Sequence, residues 1–344
     1  LMNQINLNNK EYDVIIVGAG FSGLYQLICL RDQLGMNCLV VETGDDVGGT
    51  WYWNRYPGAR CDTESHAYSY YFSDELLKEW TWSERYPGHA EIRRYMNFVA
   101  DKFDLKKDIL FNHKVTSAQY NEDKICWEIT TNNKINFRSK FLITAVGCLS
   151  NANIPKIKGL ENFKGKYYHT GNWPKNGVSF VGKKVGQIGT GSTGIQAVPV
   201  IAEEAKHLTV FQRTANYSVP ARNKPLTENF KIHVKERFKY YRELLKKTPN
   251  GHPFEISDRL VADVQEQEMQ EIYEKAWEKG GLQFRGSFSD LVTNVEANKT
   301  ASDFIKNKIN ETVSNKKFAA ILSDIDHPYA GKRPPIDTNY FETY

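Results

Sequence analysis

The chain has 344 residues, with 45 Lys and Arg set against 41 Asp and Glu, and a 13% aromatic fraction. That length allows two or three domains with a substantial core, and the near balance of charge implies no polyanion partner such as nucleic acid. No apolar run approaches the ~20 residues that span a membrane, and the five cysteines form no C-x-x-C pair, so neither a zinc site nor a redox dithiol is suggested.

The polar start, LMNQINLNNK, does not read as a signal peptide, and a reducing cytoplasm fits the composition best. The apolar run Val14–Val17 then predicts a buried parallel strand. Gly18, Gly20 and Gly23 follow in G-x-G-x-x-G spacing at the start of a helical pattern, and a second apolar run, CLVVE, ends in Glu42. Strand, glycine loop, helix, strand and terminal acid together predict a dinucleotide-binding unit. In it Gly18 makes the turn, Gly20 admits a pyrophosphate, Gly23 packs helix on strand, and Glu42 accepts from ribose hydroxyls.

The next stretch, GGTWYWNRYPGARCD, has no periodicity and reads as a loop with an unusual load of aromatic surface. It is open to two readings, a cover over a flat cofactor or an aromatic wedge between domains. Tyr68, in ESHAYSYYF, is open to a core-packing reading. The strand FLITAVG closes the first region, and LSNANIPKIKG is a linker with Pro and Asn breakers.

A second glycine motif, Gly189, Gly191 and Gly194, lies between a strand and a helix and is followed by the strand LTVF. At the spacing where Glu42 follows Gly18, the second unit carries Arg213. An acid there suits a ribose 2′-hydroxyl and an arginine a 2′-phosphate. The first unit therefore reads as a binder of FAD or NAD and the second as a binder of NADPH, with Arg213 as a solvated strand-end cation the alternative. From about residue 224 the pattern turns helical. ENFKIHVKERFKYYRELLKK sets Phe230, Val234, Phe238 and Leu245 on one face, and ASDFIKNKINETV does the same with Phe304, Ile305, Ile309 and Val313. The interleaved charges there read as a solvated face.

Two motifs carry a resemblance to a known family. The aromatic loop follows G-x-W-x(4)-Y-P-G-x(3)-D through Gly49, Trp51, Tyr56, Pro57, Gly58 and Asp62. FKGKYYHTGNWP follows F-x-G-x(3)-H-x(3)-W-P through Phe163, Gly165, His169, Trp173 and Pro174. On these motifs the chain resembles the type I Baeyer–Villiger monooxygenases, in particular the phenylacetone and cyclohexanone monooxygenase branch, over essentially its whole length. The resemblance implies an α/β fold with two Rossmann-like domains, for FAD and NADPH, and a helical insertion. It implies conversion of ketones to esters or lactones with NADPH and dioxygen through a C4a-peroxyflavin. It puts the catalytic cation on Arg333, in GKRPP, and the carboxylate that orients it on Asp62. Lys332 is expected to reach the 2′-phosphate beside Arg213 and Thr214, Trp51 and Tyr68 to lie near the flavin, and His169 to be structural or conformational in the linker.

The expected organisation is a FAD domain over 1–150, an NADPH domain over 151–223, a helical insertion over 224–328, and a return into the NADPH domain over 329–344. The chain is expected to be C-terminally incomplete and, in its full form, a monomer. A flavin-dependent NADPH oxidase or reductase without oxygen insertion, or an inactive nucleotide-binding fragment, are the alternatives.

Overall fold

The computed structural model describes residues 8–344. The reading of the N-terminus as no signal peptide rests mainly on residues 1–7, which lie outside the described residues. The chain divides into two compact units. One holds the residues up to Arg55 together with His89–Lys175, and the other holds Tyr56–Gly88 and Asn176–Tyr344.

In the first unit the run Val14–Val17 lies in β1 (Lys10–Val17), followed by α1 (Phe21–Leu27), which continues as a π-type turn over Ile28–Gln33. β2 (Cys38–Val41) pairs with β1 in parallel, and the short α2 (Thr50–Trp53) comes next. α3 (Asp74–Glu79) belongs to the second unit, and α4 (His89–Lys102) to the first. β3 (Ile109–Leu110), β4 (Val115–Asn121), β5 (Cys126–Thr131) and β6 (Asn136–Thr144) give a six-stranded sheet in the order β3-β2-β1-β6-β5-β4. β6 contains the predicted FLIT and runs parallel to β1, while β5 and β4 extend the sheet in antiparallel pairing. All four residues of β2 are buried, as expected of a parallel strand covered on both faces.

The second unit repeats the local pattern with β7 (Lys184–Ile188), α5 (Ser192–Glu204) and β8 (His207–Phe211), the two strands again parallel. β9 (Val219–Pro220) starts a separate two-stranded parallel ribbon, closed far downstream by β10 (Ile336–Asp337). Between them lie α6 (Glu228–Glu236), α7 (Phe238–Lys247), α8 (Glu266–Lys279), α9 (Val295–Thr312) and α10 (Lys316–Ser323).

The stretch expected as one amphipathic helix is two. Arg237 leaves the helical region (φ −114°, ψ 19°), and the restart puts Phe238 and Tyr241 in the core. Side-chain caps fix three of these starts: Thr227 accepts from Phe230 N–H, Asn294 from Glu296 and Ala297, and Asn315 from Lys317 and Phe318. The 3.6-residue apolar stripe of α9 is buried as predicted, with Phe304, Ile305 and Ile309 in the core and Val313 just beyond its end. There Phe304 stands 5.3 Å from Tyr273 and 5.6 Å from Phe284, ring centre to ring centre. No described helix is long and apolar enough to cross a membrane.

Candidate nucleotide sites and catalytic pair

The first glycine loop is held by backbone proximity. Gly18 has φ +104°, and a Cβ placed on Gly23 would stand 1.8 Å from the Gly18 carbonyl oxygen, so only glycine allows the helix to start there. α1 has Gly20 at its N-cap with no side chain bonded to its first amides, leaving those N–H groups for an anion. Glu42 is buried. Its Oε2 accepts from Ala19 N–H and its Oε1 from Gly44 N–H, each at 2.7 Å. Sequence reasoning gave Glu42 to ribose hydroxyls. The structure adds that the same carboxylate staples the glycine loop to the strand end, with a lone pair left on each oxygen. Trp51 is buried on α2 in this unit.

The second loop has the same construction. Gly189 has φ +101°, and a Cβ on Gly194 would lie 2.3 Å from the Gly189 oxygen. At Gly191, the uncapped N-cap of α5, an added Cβ would meet nothing within 4 Å, which leaves an open cradle at a helix N-terminus. One residue here escaped sequence reasoning. Gln187, on the strand that leads into the loop, sends its amide to the carbonyls of Gly189 (3.3 Å) and Gly194 (2.9 Å) and braces the loop. Thr190 donates to the Thr214 carbonyl at 3.5 Å, so the end of β8 lies beside the loop. Arg213 is exposed there and makes no ion pair with any described residue, which fits a ligand contact and a solvated strand-end cation alike.

The aromatic loop is shared between the units: Gly48–Arg55 belongs to the first and Tyr56–Asp62 to the second. Its second half is docked on α5. The Tyr56 hydroxyl donates to Gln196 Oε1 at 2.7 Å, and Gln196 Nε2 donates to the Arg60 carbonyl at 3.1 Å. Gly58 (φ +76°) lies so close that a Cβ would stand 2.2 Å from the Gln196 carbonyl oxygen. Gln196 carried no sequence signal, because its partners are 140 and 136 residues away.

At the end of this loop Asp62 Oδ2 accepts from Arg333 Nη2 at 2.5 Å, which joins residues 271 apart in sequence. The Arg333 side chain is 71% exposed and that of Asp62 21%. Cys61 beside it is buried, and burial pushes its thiol up to about 12. Further along, Glu64 Oε1 accepts from Arg85 Nε at 3.0 Å, and the Arg85 guanidinium also reaches the Lys279, Gly280 and Ala221 carbonyls. Tyr68 lies on this stretch in the second unit and Trp51 in the first. Lys332 is exposed on the segment that carries Arg333.

The tryptophan-proline motif falls in the first unit. A Cβ on Gly165 would stand 2.6 Å from the ring of Phe163, so these two motif positions lie against each other. His169 Nδ1 accepts from Gly171 N–H at 3.1 Å and caps a short turn, and Trp173 stacks obliquely on Tyr168 at 5.6 Å. Among the described residues no group of three His, Cys, Asp or Glu side chains could hold a metal ion.

The sequence model of flavin-binding monooxygenase-like proteins matches residues 11–282. The chain belongs to the flavin-binding monooxygenase-like family. It is 44% identical over 339 residues to a cyclohexanone 1,2-monooxygenase of Acinetobacter sp, covering 97% of this chain and 61% of that protein. It is 42% identical over 339 residues to a 2-oxo-Δ3-4,5,5-trimethylcyclopentenylacetyl-CoA monooxygenase of Pseudomonas putida, covering 96% and 62%. The solved structure of a cyclohexanone monooxygenase from Rhodococcus sp. Phi1, bound to NADP+, superposes with a TM-score of 0.95 at 40% identity, over 98% of this chain and 63% of that one. The chain thus spans about 62% of the length of the curated family members it matches.

Proposed function

We propose that this chain is the nucleotide-binding part of a flavin-dependent Baeyer–Villiger monooxygenase, which uses NADPH and dioxygen to convert a ketone into an ester or lactone. The ion pair between Asp62 and Arg333 carries the reading. It is a charged contact that neither local structure nor core packing requires, between the two residues the family resemblance singles out.

In this reading FAD takes the first glycine loop, with Gly18, Gly20, Gly23, Glu42, Trp51 and Tyr68 as its neighbours. NADPH takes Gly189, Gly191 and Gly194, with Arg213, Thr214 and Lys332 at the 2′-phosphate. Both loops suit a pyrophosphate, because each opens on an uncapped helix N-terminus. The bound flavin would supply the two-electron and oxygen chemistry. The chain's own contribution is positioning and charge. Oxygen insertion next to a carbonyl builds negative charge on oxygen, and a guanidinium, which keeps its proton, stabilises that charge without proton transfer. Asp62 holds the guanidinium in one orientation. The domains read from the sequence (1–150, 151–223, 224–328 and 329–344) and a reducing, cytoplasmic location remain our proposed assignments.

The test is Arg333→Ala in the full-length protein. Removing one preorganised charge typically costs ~10²–10³ in rate, so ester formation should fall by that factor. NADPH-driven flavin reduction should stay within about tenfold, with hydrogen peroxide released in place of ester. Ester formation at the wild-type rate would sink the proposal.

A further inference from the structure

Arg333 is followed by Pro334 and Pro335, which have no N–H to donate. The arm that carries the catalytic cation therefore depends on its carbonyl groups for anchorage, and the donors come from one short stretch beside β9. Asn216 Nδ2 donates to the Arg333 carbonyl at 3.1 Å. Val219 N–H donates to the Pro335 carbonyl at 3.2 Å, with Ser218 Oγ 3.3 Å from the same oxygen. Ser218 Oγ also lies 2.5 Å from Asp337 Oδ2, and Ala221 N–H donates to the Asp337 carbonyl at 2.7 Å.

We infer that Asn216 is a positioning residue for Arg333, fixing its backbone from one side while Asp62 fixes its guanidinium from the other. The inference rests on the role given to Arg333 above. A carbonyl can only accept, so the Asn216 amide must turn its nitrogen to Arg333. That orientation leaves Asn216 Oδ1 buried without a partner among the described residues. A buried acceptor left unbonded is unfavourable, and such groups in native proteins call for a functional explanation. Here the amide is spent on the arm. The Arg333 side chain is 71% exposed, so its ion pair with Asp62 and the place of its Cα together decide where the charge stands.

The experiment uses the full-length flavoprotein and Asn216→Asp, which keeps the shape and puts an acceptor where the donor stood. Anaerobic flavin reduction at saturating NADPH should stay within about twofold, while ester formed per NADPH falls about tenfold or more, as a small misplacement of a catalytic group can cost ~10²-fold. Asn216→Gln, which retains an amide donor on a longer stem, should recover part of that coupling. A second readout is independent of turnover. The Lys332–Arg333 bond is a trypsin site, and its cleavage should quicken about fivefold or more in Asn216→Asp, since local opening governs proteolysis.

Wild-type coupling and wild-type cleavage in Asn216→Asp, beside an uncoupled Arg333→Ala, would overturn the inference. If Arg333→Ala is itself fully coupled, the function reading fails, and the cleavage rate still decides whether Asn216 holds the arm. Should Asn216→Asp not fold, Asn216→Ser, which removes the amide donor without adding a charge, is read by the same two measures.

Discussion

The two glycine-loop units are built alike and buried differently. In both, the first glycine has φ near +100°, and the third lies against its carbonyl with no room for a side chain. In both, the helix opens uncapped. Yet β1 is paired on both sides, by β2 and β6, and β2 is buried along its length. β7 pairs only with β8 among the described residues, and the two strands alternate exposed and half-buried positions, with Ile188 72% and Phe211 56% exposed. The motif is thus a local device that needs about 25 residues. Burial of its sheet is not part of the motif and depends on what the rest of the fold places on each face.

The sharpest way to break this comparison is to put the same charge on equivalent strands. Val40→Lys, on fully buried β2, should cost more than ~4 kcal/mol, because an unpaired ammonium would be taken out of water. Phe211→Lys, on the face of β8 left open in this 344-residue chain, should change the stability of that chain by no more than ~0.5 kcal/mol and raise its solubility. Urea unfolding of both variants measures the contrast, and equal losses would mean that the two sheets are equally covered.

A smaller effect concerns Asp337, which is buried with a hydroxyl and a backbone amide for partners. Burial pushes its carboxyl up to about 6. Because the folded state binds this proton more tightly than the unfolded chain, the contribution is full below about pH 4 and is lost as pH rises through 6. A shift of that size corresponds to about 3 kcal/mol. Asp337→Asn should flatten the decline in urea midpoint between pH 4 and pH 7. A decline of unchanged slope would assign it to another group.

The smallest effect sharpens the difference in ligand between the units. Arg213 stands where the first unit has Glu42, and a charge-assisted contact to phosphate is worth about 1.5–3 kcal/mol. Arg213→Ala should therefore weaken NADPH use at least about tenfold and leave NADH use nearly unchanged. Equal losses with both coenzymes would show that Arg213 serves the strand end and not the phosphate.

The sequence by itself determined the elements whose cause is local. Both glycine loops, the strands that lead into them and the apolar stripe of α9 were legible because steric exclusion and helical periodicity act within a few residues. The family resemblance put the catalytic cation on Arg333 and the carboxylate that orients it on Asp62, and the fold brings the two side chains to 2.5 Å. Tertiary structure alone decided what depends on distant partners. Glu42 staples its own loop, Gln187 braces the second one, Gln196 receives the aromatic loop, and Asn216 takes hold of the Arg333 carbonyl. An isolated glutamine or asparagine has no periodicity to betray it, because its amide acquires a role only from the carbonyl or hydroxyl that the fold sets opposite it. The aromatic loop was legible as a loop. That it is shared between the two units, with its second half laid on α5, follows from contacts about 140 residues apart in sequence. The helix break at Arg237 belongs with these, because the amphipathic pattern runs through it and only the packing of Phe238 and Tyr241 decides where the chain turns.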